Sequence, residues 1–526
     1  MLEVAILIGI YSYFVFALGL LGFLYKPLII FSSILFFTIV FLLRKKLLIN
    51  LRITENIQNF IKNITKFEKF LLLLIGVQIF INLIGVLGPE YGFDALWYHL
   101  TIPKIYLFTH EIVHIPGSLF YYSDMPKLTE MLYVSALSFG NEITAKLIHF
   151  SFGILTLVAI YKLSRMFLSK TFSLLVATLF YSNLVVGWMS ITAYVDLART
   201  FFEVMTLWAF MKWYQRRDRK WLISSSIILG LAISTKLLAL GSLFIFTALI
   251  IYISLKVFKN NLKLISANIL VYLLIALLIS IPWFVFSFIH TGNPFYPFFT
   301  SAYPVKFNFD LINPLSLSDP ISPLYVITIP LAIIFYKKFN QSLRLVSLYS
   351  FLAIIIWYMT PQTGGGRFIL PYLPVLSLIS LGTINIMKKN LQYIFIILII
   401  CLALFSIMYR LGANIKYLPV ILGKETKSSF LSDHLNFSFG DFYDTDGYLA
   451  KTISNQDRVL LYGFHNLYYV NFPFIDSTYV KKGDMFNYIV DLGNNLPERF
   501  KIWNLVYFNP KTNLKLYSAG RMKWAY

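Results

Sequence analysis

Residues 70–99 read FLLLLIGVQIFINLIGVLGPEYGFDALWYH, an apolar run that stops at Gly88 and gives way to acidic and aromatic residues. A helix that spans a bilayer needs roughly 20 predominantly apolar residues, and the run from Phe70 to Gly88 is close to that length. The sequence therefore predicts a membrane-spanning helix that ends in a polar loop. The first acidic side chains of that loop are then expected at the membrane–water boundary.

The composition of the whole chain repeats this pattern. Of its 526 residues, 58% are apolar and only 13% are charged, whereas soluble domains carry about a quarter charged residues. The composition excludes an ordinary soluble enzyme and a disordered chain. It predicts an all-α polytopic membrane protein.

Thirteen apolar segments are candidates for membrane spans, some of them shorter than a full span. They cover residues 4–25, 27–43, 70–88, 143–161, 172–191, 197–213, 221–236, 237–255, 267–289, 321–336, 345–360, 368–387 and 391–409.

The formal net charge of +21 is explained by the loops between these segments. One alternating set of loops holds 23 of the 45 lysines and arginines, and the other set holds 8. Because cytoplasmic loops carry the excess of basic residues, the N-terminus is predicted to be cytoplasmic. The segment after residue 409 is then extracytoplasmic, and no nucleic acid is needed as a partner.

Three parts of the chain follow from this layout. Residues 1–69 form an N-terminal transmembrane hairpin with a basic cytoplasmic loop, and residues 70–409 form the main membrane module with an outer loop at 89–142. Residues 410–526 are more polar and are predicted to form a small α/β domain. Its expected strands lie at 458–464, 468–474 and 503–508, and a helix is expected around 447–453.

The outer loop contains the first candidate for chemistry, Asp94. Tyr98 follows it by four residues, so the two side chains share a face if the segment is helical. Pro103 is expected to divide the segment into two short helices. The structural alternative is an interfacial anchor that runs along the membrane surface.

Six different short motifs occur one after another along the chain. They read DALWYHLTIPKIY at 94–106, SDMPKLTEMLY at 123–133, AYVD at 193–196, GLAISTK at 230–236, TGNPFYP at 291–297 and GRFILP at 366–371.

In order and spacing these motifs resemble the GT-C superfamily of membrane glycosyltransferases. The nearest resemblance is to the bacterial branch related to protein O-mannosyltransferases and to the aminoarabinose transferases of lipid A, and it covers about residues 70–410. It implies a sugar donor linked to polyprenyl phosphate, used on the outer face of the membrane. The acceptor would be a saccharide, a lipid or a protein, glycosylated with inversion.

The resemblance also implies a catalytic aspartate in the first outer loop, a place that Asp94 occupies. Related enzymes often carry an Asp-Glu pair there, whereas this chain has alanine at position 95. Glu90 and Asp196 are the candidates for the second carboxylate. Tyr98 and His99 are expected beside the substrate.

A departing lipid phosphate requires fixed cations, because preorganised charges stabilise a leaving group most strongly. Arg367 follows three glycines, which allow close approach of a backbone to a phosphate, and is the preferred clamp. Lys236 ranks second and Lys104 third. The alternative for Arg367 is a flexible loop with an arginine that reaches for the membrane surface.

Two further groups of residues have a structural and a functional interpretation. Asp196, Arg199 and Glu203 share one helix face, and they either position a substrate or neutralise one another. Asn293 and Tyr296 belong to a segment rich in turn residues, and they either shape the loop or line the site.

Two other functions compete with glycosyl transfer. His110-Glu111-Ile-Val-His114 matches the H-E-x-x-H motif of zinc proteases, although Pro116-Gly117 ends any helix soon after it. A transporter or flippase for a lipid-linked saccharide would share a charged cavity. No cofactor is specified by the sequence, and a divalent metal ion stays an open alternative.

Overall fold

The computed structural model describes residues 1–43, 64–117, 119–257, 262–300, 320–360, 366–493, 496–518 and 524–525. Each apolar segment predicted above corresponds to one or more helices in these ranges. The long helices are α1 Leu2–Leu20, α2 Lys26–Leu43, α3 Lys66–Leu87, α6 Glu142–Ser164, α9 Asp196–Arg216, α10 Arg219–Thr235, α11 Leu240–Val257, α12 Leu262–Thr291, α14 Gln341–Tyr358 and α16 Lys389–Asn414.

Shorter helices complete the membrane module and its outer loop. They are α4 Thr101–Thr109, α5 Leu128–Phe139, α7 Lys170–Tyr181, α8 Leu184–Met189, α13 Leu324–Ile334 and α15 Leu373–Asn385.

Within the described residues, eight helices are long and apolar enough to cross a membrane. The all-α polytopic fold is confirmed, while the number of thirteen spans stays a prediction. The predicted span 172–191 is divided into α7 and α8, because residues 182 and 183 form a turn between them.

Local signals explain where these helices begin. At the start of α3, the Thr65 hydroxyl accepts a hydrogen bond from the Glu68 amide at 3.2 Å, and the Glu68 carboxylate accepts one from the Thr65 amide. This reciprocal capping satisfies two amides that a helix start leaves free. The same carboxylate accepts a hydrogen bond from Thr171 and so ties α3 to α7.

Helix α9 lies at the centre of the bundle. Sixteen of its 21 residues are buried, and it packs against α6 and α10. A helix buried on every side positions any polar group at its end rigidly. Asp196 is its first residue.

The outer loop 89–142 differs from the expectation in two details. A π-helical turn at Ala95–His99 precedes α4, and the break falls at Leu100 rather than at Pro103. Pro103 lies in the first turn of α4, where a missing amide hydrogen costs little. The loop also contains α5, a buried helix that the sequence did not reveal because its 12 residues are too few for a span.

The tail begins with three short helices, α17 Leu418–Ile421, α18 Lys427–His434 and α19 Tyr448–Thr452. Seven strands follow, β1 Val459–Tyr462, β2 Phe474–Asp476, β3 Met485–Phe486, β4 Tyr488–Leu492, β5 Asn504–Asn509, β6 Leu514–Ser518 and β7 Trp524–Ala525.

Five of these strands form a sheet in the order β2-β1-β4-β6-β5, and β3 pairs with β7. Strand β1 is parallel to both of its neighbours, β2 and β4, and β6 is antiparallel to both of its neighbours, β4 and β5. The small α/β tail is thus confirmed, with its helix at 448–452 and two of its expected strands. The expected strand at 468–474 is wrong over most of its length, because residues 468–470 pack against the outer loop through hydrogen bonds to Glu90 and Lys104.

Candidate active site

Asp94 lies at the start of the π-helical turn and is 9% exposed. One of its carboxylate oxygens accepts a hydrogen bond from the Tyr98 hydroxyl at 3.2 Å, so the two side chains meet as their spacing predicts. The same oxygen lies 2.5 Å from Nη1 of Arg367. The Asp94 amide donates to the Tyr194 hydroxyl at 3.1 Å and fixes the backbone.

A second ion pair lies at the outer end of α9. Lys236 follows the last residue of α10, and its ammonium lies 2.7 Å from an Asp196 oxygen. His149 accepts a hydrogen bond from the Leu197 amide at 3.0 Å and so supports the first turn of α9. The second Asp196 oxygen is buried and makes no hydrogen bond within the described residues.

The ring of Phe368 connects the two ion pairs. The Lys236 nitrogen lies 5.1 Å from the ring centroid and the Arg367 guanidinium carbon 5.5 Å from it. Arg367 also lies over the Tyr194 ring. Cations over aromatic faces are attracted by the ring quadrupole, and this arrangement keeps both cations near one opening.

That opening is a cavity beside the start of α9 and the end of α10. Among the predicted residues, Tyr98, His99, Lys236 and Arg367 line it, and Asp94 lies at its edge through its bonds to Tyr98 and Arg367. The other polar residues on its wall are Tyr122, Lys127, Glu130 and Thr235.

Lys127 is a third cation of the cavity that the sequence did not single out as a ligand. Its ammonium donates to the backbone carbonyls of Tyr122 and Met125. Burial lowers the pKa of Lys127 to about 8. The residue is part of the motif at 123–133, and that motif is the sequence signal that could have identified it.

Four predicted ligands lie away from the cavity wall. The Glu90 carboxylate accepts hydrogen bonds from the amides of Tyr91, Gly92 and Ala193. Lys104 donates to the carbonyls of Tyr468 and Val470 and to the Asn471 side chain, at 2.6–2.9 Å. These contacts give Glu90 and Lys104 the roles of structural anchors.

Asn293 and Tyr296 belong to the turn that follows α12. The Asn293 side chain donates to the Phe298 carbonyl and accepts from the Phe295 amide. These contacts shape the turn, and its next residues, Pro297 and Phe298, line the cavity. The turn therefore contributes apolar residues, and not Asn293 or Tyr296, to the cavity wall.

The three charged residues predicted to share one face of α9, Asp196, Arg199 and Glu203, form two separate ion pairs with different partners. Arg199 pairs with Glu203 at 3.4 Å deep in the bundle, and Glu203 also accepts a hydrogen bond from Ser242. Asp196 pairs instead with Lys236. The inner pair neutralises itself, and Asp196 is connected to the cavity through Lys236, which lines it.

The H-E-x-x-H motif does not form the helix that a zinc protease requires. His110 ends α4 in the left-handed conformation and stacks on Tyr25, while His114 bonds to Asp124 at 2.9 Å. No group of three or more His, Cys, Asp or Glu side chains in the described part of the chain could hold a metal ion. The protease alternative is therefore wrong, because the two histidines point to different partners.

An aromatic patch covers the other side of Asp94. Phe93 and Trp97 each lie 4.4 Å from the ring of His465, which the C-terminal domain contributes, and Phe439 completes the patch. Phe93 is 36% exposed and Phe439 is 56% exposed. Burial lowers the pKa of His465, so this ring is neutral at physiological pH.

Comparison with known protein families finds a match within the membrane module. Residues 131–286 match the family model of dolichyl-phosphate-mannose-protein mannosyltransferase. The matched segment includes Asp196 and Lys236 and ends before Arg367. No curated protein sequence matches the chain significantly.

Two solved structures are similar over most of the chain. The crystal structure of ArnT from Cupriavidus metallidurans bound to undecaprenyl phosphate is 12% identical and has a TM-score of 0.55; the similarity covers 86% of this chain and 98% of that one. The apo structure of the same protein has a TM-score of 0.57 at the same identity and coverage. The chain therefore shares the fold of ArnT, and this agrees with the resemblance stated from the six motifs.

Proposed function

We propose that the protein transfers a sugar from a polyprenyl-phosphate donor to an acceptor hydroxyl at the outer face of the membrane. One observation carries this proposal most directly. Arg367 binds the Asp94 carboxylate at the edge of a cavity that Lys236 and Lys127 also line. A carboxylate at the edge of a cavity lined by three cations fits a proton acceptor beside a phosphate leaving group.

The three cations would hold the lipid phosphate. Displacement of a sugar from phosphate returns negative charge to the departing oxygens, and fixed cations stabilise that charge without reorganisation. Arg367 provides a planar fork that matches phosphate oxygens, and Lys127 and Lys236 provide point charges. ArnT, which shares the fold, was crystallised with undecaprenyl phosphate.

Asp94 would accept the proton of the acceptor hydroxyl. In the resting protein its carboxylate is bound to Arg367. A donor phosphate competes for the same guanidinium, and this competition leaves Asp94 free to act as general base once the donor is in place. Attack from the side opposite the phosphate inverts the anomeric carbon.

The acceptor would approach over the aromatic patch of Phe93, Trp97, Phe439 and His465. Sugar rings and acyl chains both present C–H groups that pack on aromatic faces. In this proposal the C-terminal domain is extracytoplasmic, the N-terminus is cytoplasmic, and the tail supplies half of the acceptor surface. The patch adjoins Asp94 through Phe93 and Trp97, which belong to the same turn.

Transfer of a labelled sugar tests the proposal. The purified protein in lipid vesicles is given synthetic undecaprenyl-phosphate sugars together with a bacterial envelope-lipid extract as acceptor. We expect labelled product and release of undecaprenyl phosphate. A flippase would move the labelled donor across the bilayer without consuming it, and that outcome would overturn the proposal.

A further inference from the structure

Glu130 is a buried carboxylate with one unsatisfied oxygen on the wall of the cavity. It lies in the first turn of α5 and is 4% exposed. Its Oε1 lies 2.8 Å from Nδ1 of His99, which is 3% exposed. Its Oε2 is buried and has no hydrogen-bond partner within the described part of the chain.

An unsatisfied oxygen of this kind is costly. A buried carboxylate oxygen without a hydrogen-bond donor loses its hydration and gains no hydrogen bond in exchange. Native proteins leave few such groups, and those that persist call for an explanation. Because both Glu130 and His99 line the cavity, a bound ligand can supply the missing donor.

The position of Glu130 indicates which part of a ligand it reaches. Lys127 precedes it by three residues and lies on the same cavity wall, where Lys236 and Arg367 provide the other cations. A phosphate held by these cations places its attached sugar inside the cavity. A negative carboxylate is a poor partner for the phosphate itself and a good partner for a hydrogen-bond donor on the sugar.

We propose that Glu130, held by His99, recognises a hydrogen-bond-donating substituent on the sugar ring of the donor. This inference rests on the proposed function, because it assigns the sugar subsite of that site. The substituent is a hydroxyl or an amino group, since both donate to a carboxylate. Glu130 is then a specificity residue for the sugar, distinct from the cations that bind the lipid phosphate.

Binding measurements with two kinds of lipid test the assignment. The probes are undecaprenyl phosphate without a sugar and undecaprenyl phosphate linked to mannose, to glucose or to a 4-amino-4-deoxy pentose. Affinities are measured for the full-length protein in detergent. We expect the wild type to bind at least one sugar-linked lipid more tightly than the bare lipid.

Two variants at position 130 separate the chemistry. Glu130→Ala is expected to weaken binding of the preferred sugar-linked lipid about tenfold or more, as loss of a hydrogen bond to a charged group does, and to leave the bare lipid unaffected. Glu130→Gln keeps an acceptor oxygen but loses the charge. A small loss with this variant identifies a hydroxyl, and a loss as large as that of Glu130→Ala identifies an amino group.

Thr129→Val is the matched control. Thr129 is the preceding residue, is also buried with an unsatisfied oxygen, and does not line the cavity. We expect it to leave both affinities unchanged.

Three outcomes would overturn part of the account. Equal effects of Glu130→Ala on bare and sugar-linked lipid, or no effect on either, would refute the sugar subsite. A wild type that binds sugar-linked lipids no more tightly than the bare lipid would do the same. A wild type that binds no undecaprenyl phosphate at all would instead refute the proposed function.

Discussion

Two ion pairs at one end of the bundle differ in the exposure of their carboxylates, and we expect them to respond differently to an incoming phosphate. Arg367 and Asp94 meet at the edge of the cavity with side chains 15% and 12% exposed. In the second pair Lys236 is 16% exposed, but its partner Asp196 is only 2% exposed. The more accessible pair is the one that a phosphate can open, because its charges are the less costly to rehydrate during exchange.

Replacement of Arg367 tests the phosphate clamp. Arg367→Gln removes one charge-assisted interaction, worth about 1.5–3 kcal/mol, so the Kd for undecaprenyl phosphate should rise about tenfold or more. Isothermal titration calorimetry of the protein in detergent measures this change in Kd. The exposed Arg458 of the C-terminal domain provides the control variant Arg458→Gln, and equal affinities of all three proteins would remove Arg367 from the site.

The lowered pKa of Lys127 predicts a pH dependence. Since the ammonium form attracts phosphate, affinity for undecaprenyl phosphate should be steady near pH 7 and fall as pH rises through about 8. At pH 9 a lysine with this pKa is about one-tenth protonated, which predicts a loss of up to about tenfold.

Lys127→Arg is the control for this effect. Arginine stays charged across the whole range, so its affinity should remain level to pH 9. An identical decline in the variant and the wild type would assign the titration to another group.

At the scale of elements, helix ends place the reactive groups. Asp196 begins α9, Lys236 ends α10, and Asp94 begins the π-helical turn that leads to α4. The start of α9 meets the end of α10 because a turn at 217–218 joins these two helices as antiparallel neighbours. Burial of α9 on every side then holds Asp196 in place.

Gly88, directly after the end of α3, packs closely against Tyr417 of the tail. A Cβ atom at this position would lie 2.0 Å from the Tyr417 ring. Gly88→Ala should therefore destabilise the protein by about 1–3 kcal/mol, as overpacking does, and lower its Tm in a thermal melt.

Gly76, within α3, provides the comparison. No atom lies within 4 Å of a Cβ built at this position, and alanine is the better helix former by about 1 kcal/mol. Gly76→Ala should leave Tm unchanged or raise it slightly. Equal melting of the two variants would contradict the close packing of Gly88 on Tyr417.

The sequence predicted the helices and the fold well because apolar length is a local property. The structure brings Asp94, Arg367 and Lys236, three of the predicted site residues, together at one cavity, and their roles stay a prediction. The sequence could not assign Lys104 correctly, because the three acceptors of that lysine lie more than 360 positions away along the chain. Glu130 belongs to the motif at 123–133, but its unsatisfied oxygen and its contact with His99 are visible only in the structure.

At the scale of the molecule, the C-terminal domain is fastened to the outer loop. Lys104 bonds to three oxygens of the segment 468–471, the Tyr469 hydroxyl donates to the Glu90 carbonyl at 2.7 Å, and Lys427 pairs with Glu142. These contacts hold His465 and Phe439 beside Asp94. The tail therefore completes the acceptor side of the proposed site.

Loss of the Lys104 anchor should loosen the tail. Lys104→Met leaves buried carbonyls without donors, at a cost of about 1–3 kcal/mol, so protease should cleave the tail faster while the membrane module stays intact. Lys451→Met changes an exposed lysine of the same domain and should have no effect. Unchanged cleavage in Lys104→Met would show that the anchor contributes little to docking.

Single-turnover transfer by the Asp94→Asn variant is the most direct test of Asp94 as the general base. The variant keeps the shape of the side chain but cannot accept the acceptor's proton. The account predicts at least a hundredfold slower transfer of labelled sugar, because general base catalysis contributes about 10²–10⁴, together with undiminished binding of undecaprenyl phosphate. Transfer at the wild-type rate by the asparagine variant would contradict the account.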